Sequence, residues 1–152
     1  MPKIISYQKT SDAYTTYELH MPDAQGVERE IYCAELGTVG GLTYVSVPPG
    51  VTLPEQLPQV AATLQTVTPP AELLAQLKAI SPHCALISER MVQKIRARYS
   101  IDDEMFFARI GVGAAAGMYQ PTPGELAEMQ AFGEFVEAVR QWGRAERAKL
   151  GL

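Results

Sequence analysis

Pro48-Pro49-Gly50-Val51-Thr52-Leu53-Pro54-Glu55-Gln56-Leu57-Pro58, closed further on by Thr68-Pro69-Pro70, divides this chain into two regimes. Proline fixes φ and lacks an amide hydrogen, so prolines at this density interrupt any helix interior or central strand. Residues 48–70 therefore read as an extended connector crossing the surface, with residues 62–67 able to add an edge strand. Val51, Leu53, Leu57 and Val60 are too apolar for a free linker. They pin the connector either to the protein itself or to a partner.

On the N-terminal side the residues are those that suit a pleated surface: Ile4, Tyr7, Tyr14, Tyr17, Val27, Ile31, Tyr44, Val45 and Val47 among them. Met21-Pro22-Asp23-Ala24-Gln25-Gly26 has turn chemistry at both ends, so residues 14–20 and 27–36 are expected to pair as a hairpin. Within the second arm Val27, Arg29, Ile31 and Cys33 alternate with Glu28, Glu30, Tyr32 and Ala34, and Ile31 and Cys33 form the expected inward pair. Gly37-Thr38-Val39-Gly40-Gly41 punctuates again before a short strand over 42–47.

On the C-terminal side the punctuation is that of helices. Thr68-Pro69, Ser81-Pro82 and Thr122-Pro123 each set a capping hydroxyl before a proline suited to the first helical position. Ser100-Ile101-Asp102-Asp103 and Thr122-Pro123-Gly124-Glu125 have capping-box spacing. Helices are predicted over 69–80, 82–99, 101–110 and 123–150. The second places Cys84, Ile87, Met91, Ile95 and Tyr99 on one stripe at three- and four-residue steps. The last passes from Glu125 and Glu128 to Arg140, Arg144, Arg147 and Lys149, in line with the helix dipole. It would reach about 40 Å at 1.5 Å per residue, long enough to project or to pack on another copy. The expected class is α+β: a small antiparallel β-meander over 1–47, the proline-rich connector over 48–70, and a bundle of about four helices over 71–152.

Of the 152 residues 47% are apolar and 20% charged, which places the chain among globular proteins. The net charge of −4 argues against a general nucleic-acid binder. Cys33 and Cys84 belong to no CxxC or Cys/His cluster and read as two reduced, partly buried thiols of a cytoplasmic protein. The N-terminus lacks the apolar run of a signal peptide. The most membrane-like stretch, 110–118, is about half the length a bilayer crossing needs.

No grouping of residues has the spacing of a catalytic or metal centre, and no cofactor is expected. His83 and Cys84 are adjacent, so on a helix they point about 100° apart, poor geometry for an imidazole to activate a thiol. Asp102, Asp103 and Glu104 open a helix, where free N–H groups stabilise negative charge; a calcium loop would space its acids along an irregular backbone. Gly111-Val112-Gly113-Ala114-Ala115-Ala116-Gly117 follows a helix instead of a strand and lacks the Lys-Ser/Thr of a phosphate loop. Its small residues suit close packing or a bend. Arg90, Lys94, Arg96 and Arg98 form a basic face on the 82–99 helix, the one feature a DNA-binding regulator could use. The nearby acids argue for a solvated or ion-paired face instead.

The segment Ser81-Pro82-His83-Cys84-Ala85-Leu86-Ile87-Ser88-Glu89-Arg90, continued by residues 94–104, resembles small proteins from the tail gene clusters of tailed bacteriophages and Mu-like prophages. Val45-Ser46-Val47-Pro48 with Leu53-Pro54-Glu55-Gln56, and Phe135-Val136-Glu137-Ala138-Val139-Arg140-Gln141-Trp142, are similar too. The resemblance covers residues 42–150 and rests on helix-forming and capping patterns. It implies a tail-associated or tail-fibre-assembly protein without enzymatic activity, located in the bacterial cytoplasm during assembly or in the virion. Its partners would be other phage tail proteins. The expected docking residues are Val51, Leu53, Leu57 and Val60 on the connector, and Met129, Phe132, Phe135, Val139 and Trp142 on the last helix. That helix would also serve self-association. The alternative is the DNA-binding regulator.

Overall fold

The computed structural model describes residues 1–22 and 33–152. In chain order these form β1 (Lys3–Tyr7), β2 (Thr10–Ser11), β3 (Thr16–Tyr17), β4 (Ala34–Val39), β5 (Leu42–Val47), α1 (Pro58–Ala61), β6 (Gln65–Val67), α2 (Ala71–Ile80), α3 (Pro82–Arg96), α4 (Ile101–Ala115) and α5 (Pro123–Lys149). A sheet-forming N-terminal region and a helical C-terminal region make the architecture α+β. Two compact units divide the chain: one comprises Met1–Leu86 with Glu146–Leu152, the other Ile87–Ala145. The composition changes at 47 and 70, by contrast, fall inside the first unit.

In the first unit the strand order is β4-β5-β1-β6, all pairs antiparallel. This departs from the expected meander, because β1 is central: Lys3–Tyr7 lies across Val47–Thr43 on one side and Ile4 across Val67 on the other. The turn and most of the second arm of the expected hairpin between 14–20 and 27–36 lie outside the described residues. Within its first arm Thr16–Tyr17 pairs with Thr10–Ser11, around a turn in which Asp12 Oδ1 accepts from the amides of Tyr14 (2.9 Å) and Thr15 (2.8 Å). Residues 27–32, including Ile31, lie outside the described residues. The hairpin that forms joins β4 to β5 through Gly40 and Gly41 at φ of 59° and 82°. Positive φ at both central residues is what a two-residue turn matched to strand twist requires.

Both faces of the sheet are covered, which explains its near-continuous apolar strands. On one face Ile5, Tyr7, Val45 and Val47 pack with Leu19, Cys33 and Val60, and Val51, Leu53 and Leu64 close over them. On the other, Ile4, Leu36 and Tyr44 pack with Leu77 of α2, joined by Leu73, Leu74, Leu150 and Leu152. The connector is thus part of the core wall. It is not extended throughout: Pro58 starts a single helical turn that buries Val60 completely. Gln56 fastens it further, accepting from the amide of His20 (2.8 Å) and donating to the His20 carbonyl (2.9 Å). The edge strand expected within 62–67 is present as β6.

Most helix starts follow the predicted caps. Ser100 Oγ accepts from the Asp103 amide while Asp103 accepts from the Ser100 amide. Thr122 and Glu125 make the same reciprocal pair. Ser81 Oγ accepts from the Cys84 amide at 3.4 Å. Thr68 does not cap; α2 begins after Pro70 with no side-chain cap. α3 ends at Arg96, three residues before the predicted end. α4 runs five residues further than predicted, to Ala115, so Gly111–Ala115 is helix.

Within the second unit the rings of Tyr99, Phe107, Phe132 and Phe135 cluster, with centroids 5.0 Å apart for Tyr99–Phe132 and 5.3 Å for Phe107–Phe132. Edge and tilted contacts of this kind add to the area the rings bury. α5 passes α3 closely at Gly143, where the Met91 thioether occupies the space a β-carbon would take.

Candidate protein-binding surface

Most residues marked by the sequence as docking residues are engaged within their own unit. Val60 is fully buried, and Val51 and Leu53 pack on the same cluster; Leu57 is the exposed member of the connector set at 38%. On α5, Val139 is buried and Phe132 and Phe135 belong to the aromatic cluster. Met129 is half-buried, its Cε lying 3.4 Å from where a β-carbon on Gly111 would stand. Trp142 lies under the Lys94 ammonium, 4.7 Å from the ring centroid.

Of the four basic residues, Arg90, Lys94 and Arg96 lie on α3 and Arg98 lies past its end; the last three are similarly engaged. Arg96 pairs with Glu104, the Arg98 guanidinium sits 4.8 Å from the Phe135 ring centroid, and Lys94 is the cation over Trp142. Arg90 is exposed. The side chains weighed for nucleophilic chemistry do not converge on a cleft: Cys84 is buried and His83 exposed. Among the described residues no group of three His, Cys, Asp or Glu side chains is placed to hold a metal ion. Asp103 is taken up by its cap, and the Ser100 amide holds its carboxyl below the ordinary range. Glu125 is lowered for the same reason by the Thr122 amide, with a further bond from the Tyr119 hydroxyl.

What remains is α4. Its inner face carries Phe107 and Ile110, both buried. Its outer face is also apolar: Ile101, Met105 and Val112 are 63%, 65% and 70% exposed, and Phe106 is 40% exposed. Beside this row lies an open groove of about 900 Å³, walled by Met105, Phe106, Arg109, Val112, Gly113 and Met118. Met118, just past the helix end, is 85% exposed. Scattered single apolar residues on a surface need no explanation, whereas a contiguous apolar row beside a groove makes α4 the candidate binding surface.

The sequence carries this signal in an ambiguous form. Ile101, Met105, Ala108, Val112 and Ala115 have helical spacing, but α4 is apolar on two faces, so periodicity could not say which one packs inward. Ending the helix at residue 110 then removed Val112 and Ala115 from the pattern. No family model, no characterised protein and no solved structure matches the chain.

Proposed function

We propose that this protein works by binding other proteins, as a tail-associated component of a tailed bacteriophage or Mu-like prophage, either a minor structural part or an assembly chaperone. The phage setting rests on the resemblance of residues 42–150 to proteins of tail gene clusters. The docking reading rests on the exposed apolar row of α4, Ile101, Met105 and Val112, with its adjoining groove. Apolar side chains held in water on a rigid helix contribute free energy only when a partner covers them, and helix-in-groove recognition uses this spacing of anchors. Methionines at 105 and 118 suit such a surface, since the unbranched thioether adapts to the partner's shape.

Co-expression with the products of the genes adjacent to this one, tail proteins on this reading, tests it. At least one tail protein should copurify with the wild type and be lost with Met105→Asp/Val112→Asp, whose substitutions fall on exposed positions. If no tail protein copurifies, or if the double variant retains it fully, the reading is wrong.

A further inference from the structure

The exposed row on α4 has the period of a helix-pairing seam. Ile101, Met105, Ala108, Val112 and Ala115 succeed one another at steps of four, three, four and three residues, and all are exposed. That 3.5-residue average keeps one stripe facing a second helix along its length. Asp102 and Arg109 stand one heptad apart and therefore on the same edge of the stripe. Among the described residues neither forms an ion pair, whereas Asp103 serves the cap and Glu104 holds Arg96.

We propose that a second copy of this chain covers the row, the two α4 helices lying antiparallel about a twofold axis. The proposal rests on reading α4 as a docking surface and names its occupant. In this register Ile101 meets Val112 of the second copy and Met105 meets Ala108, each pair occurring twice by symmetry. Long side chains thus face shorter ones in every layer. Asp102 then comes within reach of Arg109 of the second copy, also twice. A parallel arrangement would set this edge of one helix against the opposite edge of the other and keep Asp102 away from Arg109, so only the antiparallel pair joins these two charges. This self-complementarity is what favours a second copy: the edge carries both signs in the order its own reversal requires. A single helix pair covers less than the roughly 1,600 Å² of a standard stable interface, so the dimer dissociates on dilution.

Sedimentation velocity on the full chain over a concentration series, at low salt, reads this directly. A monomer–dimer equilibrium is expected, abolished by Val112→Asp. Asp102→Lys and Arg109→Asp should each weaken dimerisation about ten-fold, by turning two attractions into two repulsions. The double variant Asp102→Lys/Arg109→Asp should regain affinity near that of the wild type, and the two single variants mixed should form a heterodimer. A wild type that stays monomeric at all concentrations overturns the second-copy proposal, while copurification of a tail protein would still uphold the docking reading. A dimer indifferent to Val112→Asp, or a double variant no better than the singles, overturns it as well.

Discussion

At the residue scale four polar side chains, Ser100, Asp103, Thr122 and Glu125, are taken up in starting helices. Ser100 with Asp103, and Thr122 with Glu125, each satisfy amide hydrogens that a helix N-terminus leaves unpaired. Losing the hydroxyl acceptor in Ser100→Ala or Thr122→Ala should cost about 1 kcal/mol each in denaturant unfolding. The carboxylates of both caps are held below their ordinary range, chiefly by the backbone amides of Ser100 and Thr122. A carboxylate with a lowered folded pKa contributes stability that is present above its unfolded value, about pH 4. That contribution is lost as pH falls through the folded value. Melting temperature should therefore decline on acidification below about pH 4. Asp103→Asn and Glu125→Gln should melt lower at neutral pH but show a shallower acid decline. A decline as steep as in the wild type would mean that these caps carry no charge-dependent stability.

At the element scale the connector shows how two similar residues acquire different roles. Leu57 and Val60 stand three positions apart in one apolar series, yet the turn of α1 leaves Leu57 38% exposed and Val60 at 0%. Val60→Ala should destabilise by about 2 kcal/mol, from lost methyl burial and the cavity left behind. Leu57→Ala should fall within about 0.5 kcal/mol of wild type. Equal effects of the two on the urea midpoint would contradict this packing. The same contrast explains what the sequence could convey. Helix starts were legible because a cap is made within four residues of chain, as at Ser81, Ser100 and Thr122. Thr68 failed because two successive prolines carry the chain past its hydroxyl in extended conformation before α2 begins. Strand order was not legible, because β1 pairs with residues 43–47 and 65–67, and only packing on both faces selects those partners. The α4 surface was hidden for a related reason: spacing fixes which residues share a face, but not which face the rest of its unit covers.

At the scale of the whole molecule the first unit is discontinuous in sequence, built from residues 1–86 and the last seven, 146–152. Composition cannot reveal this, since Leu150 and Leu152 read as the tail of a helix rich in charge. In the structure they pack on the cluster of Ile4, Leu36, Tyr44 and Leu77, on the face of the sheet covered by α2. Ile4 lies in β1, the strand paired on both sides, so the end of the chain supports the centre of the sheet. Removing residues 150–152 should accordingly destabilise the first unit. Two half-buried leucines, each contributing part of the ~1.5–3 kcal/mol that full burial supplies, set the loss at roughly 2 kcal/mol. Hydrogen exchange locates it: the amides of Ile4, Ile5 and Ser6 should lose protection. Lys149→Ala, which removes only an exposed charge paired with Glu146, should leave those amides as they are. If the truncated chain protects β1 as well as the intact one does, residues 150–152 are not a working part of the sheet's core, and the first unit is stable without Leu150 and Leu152.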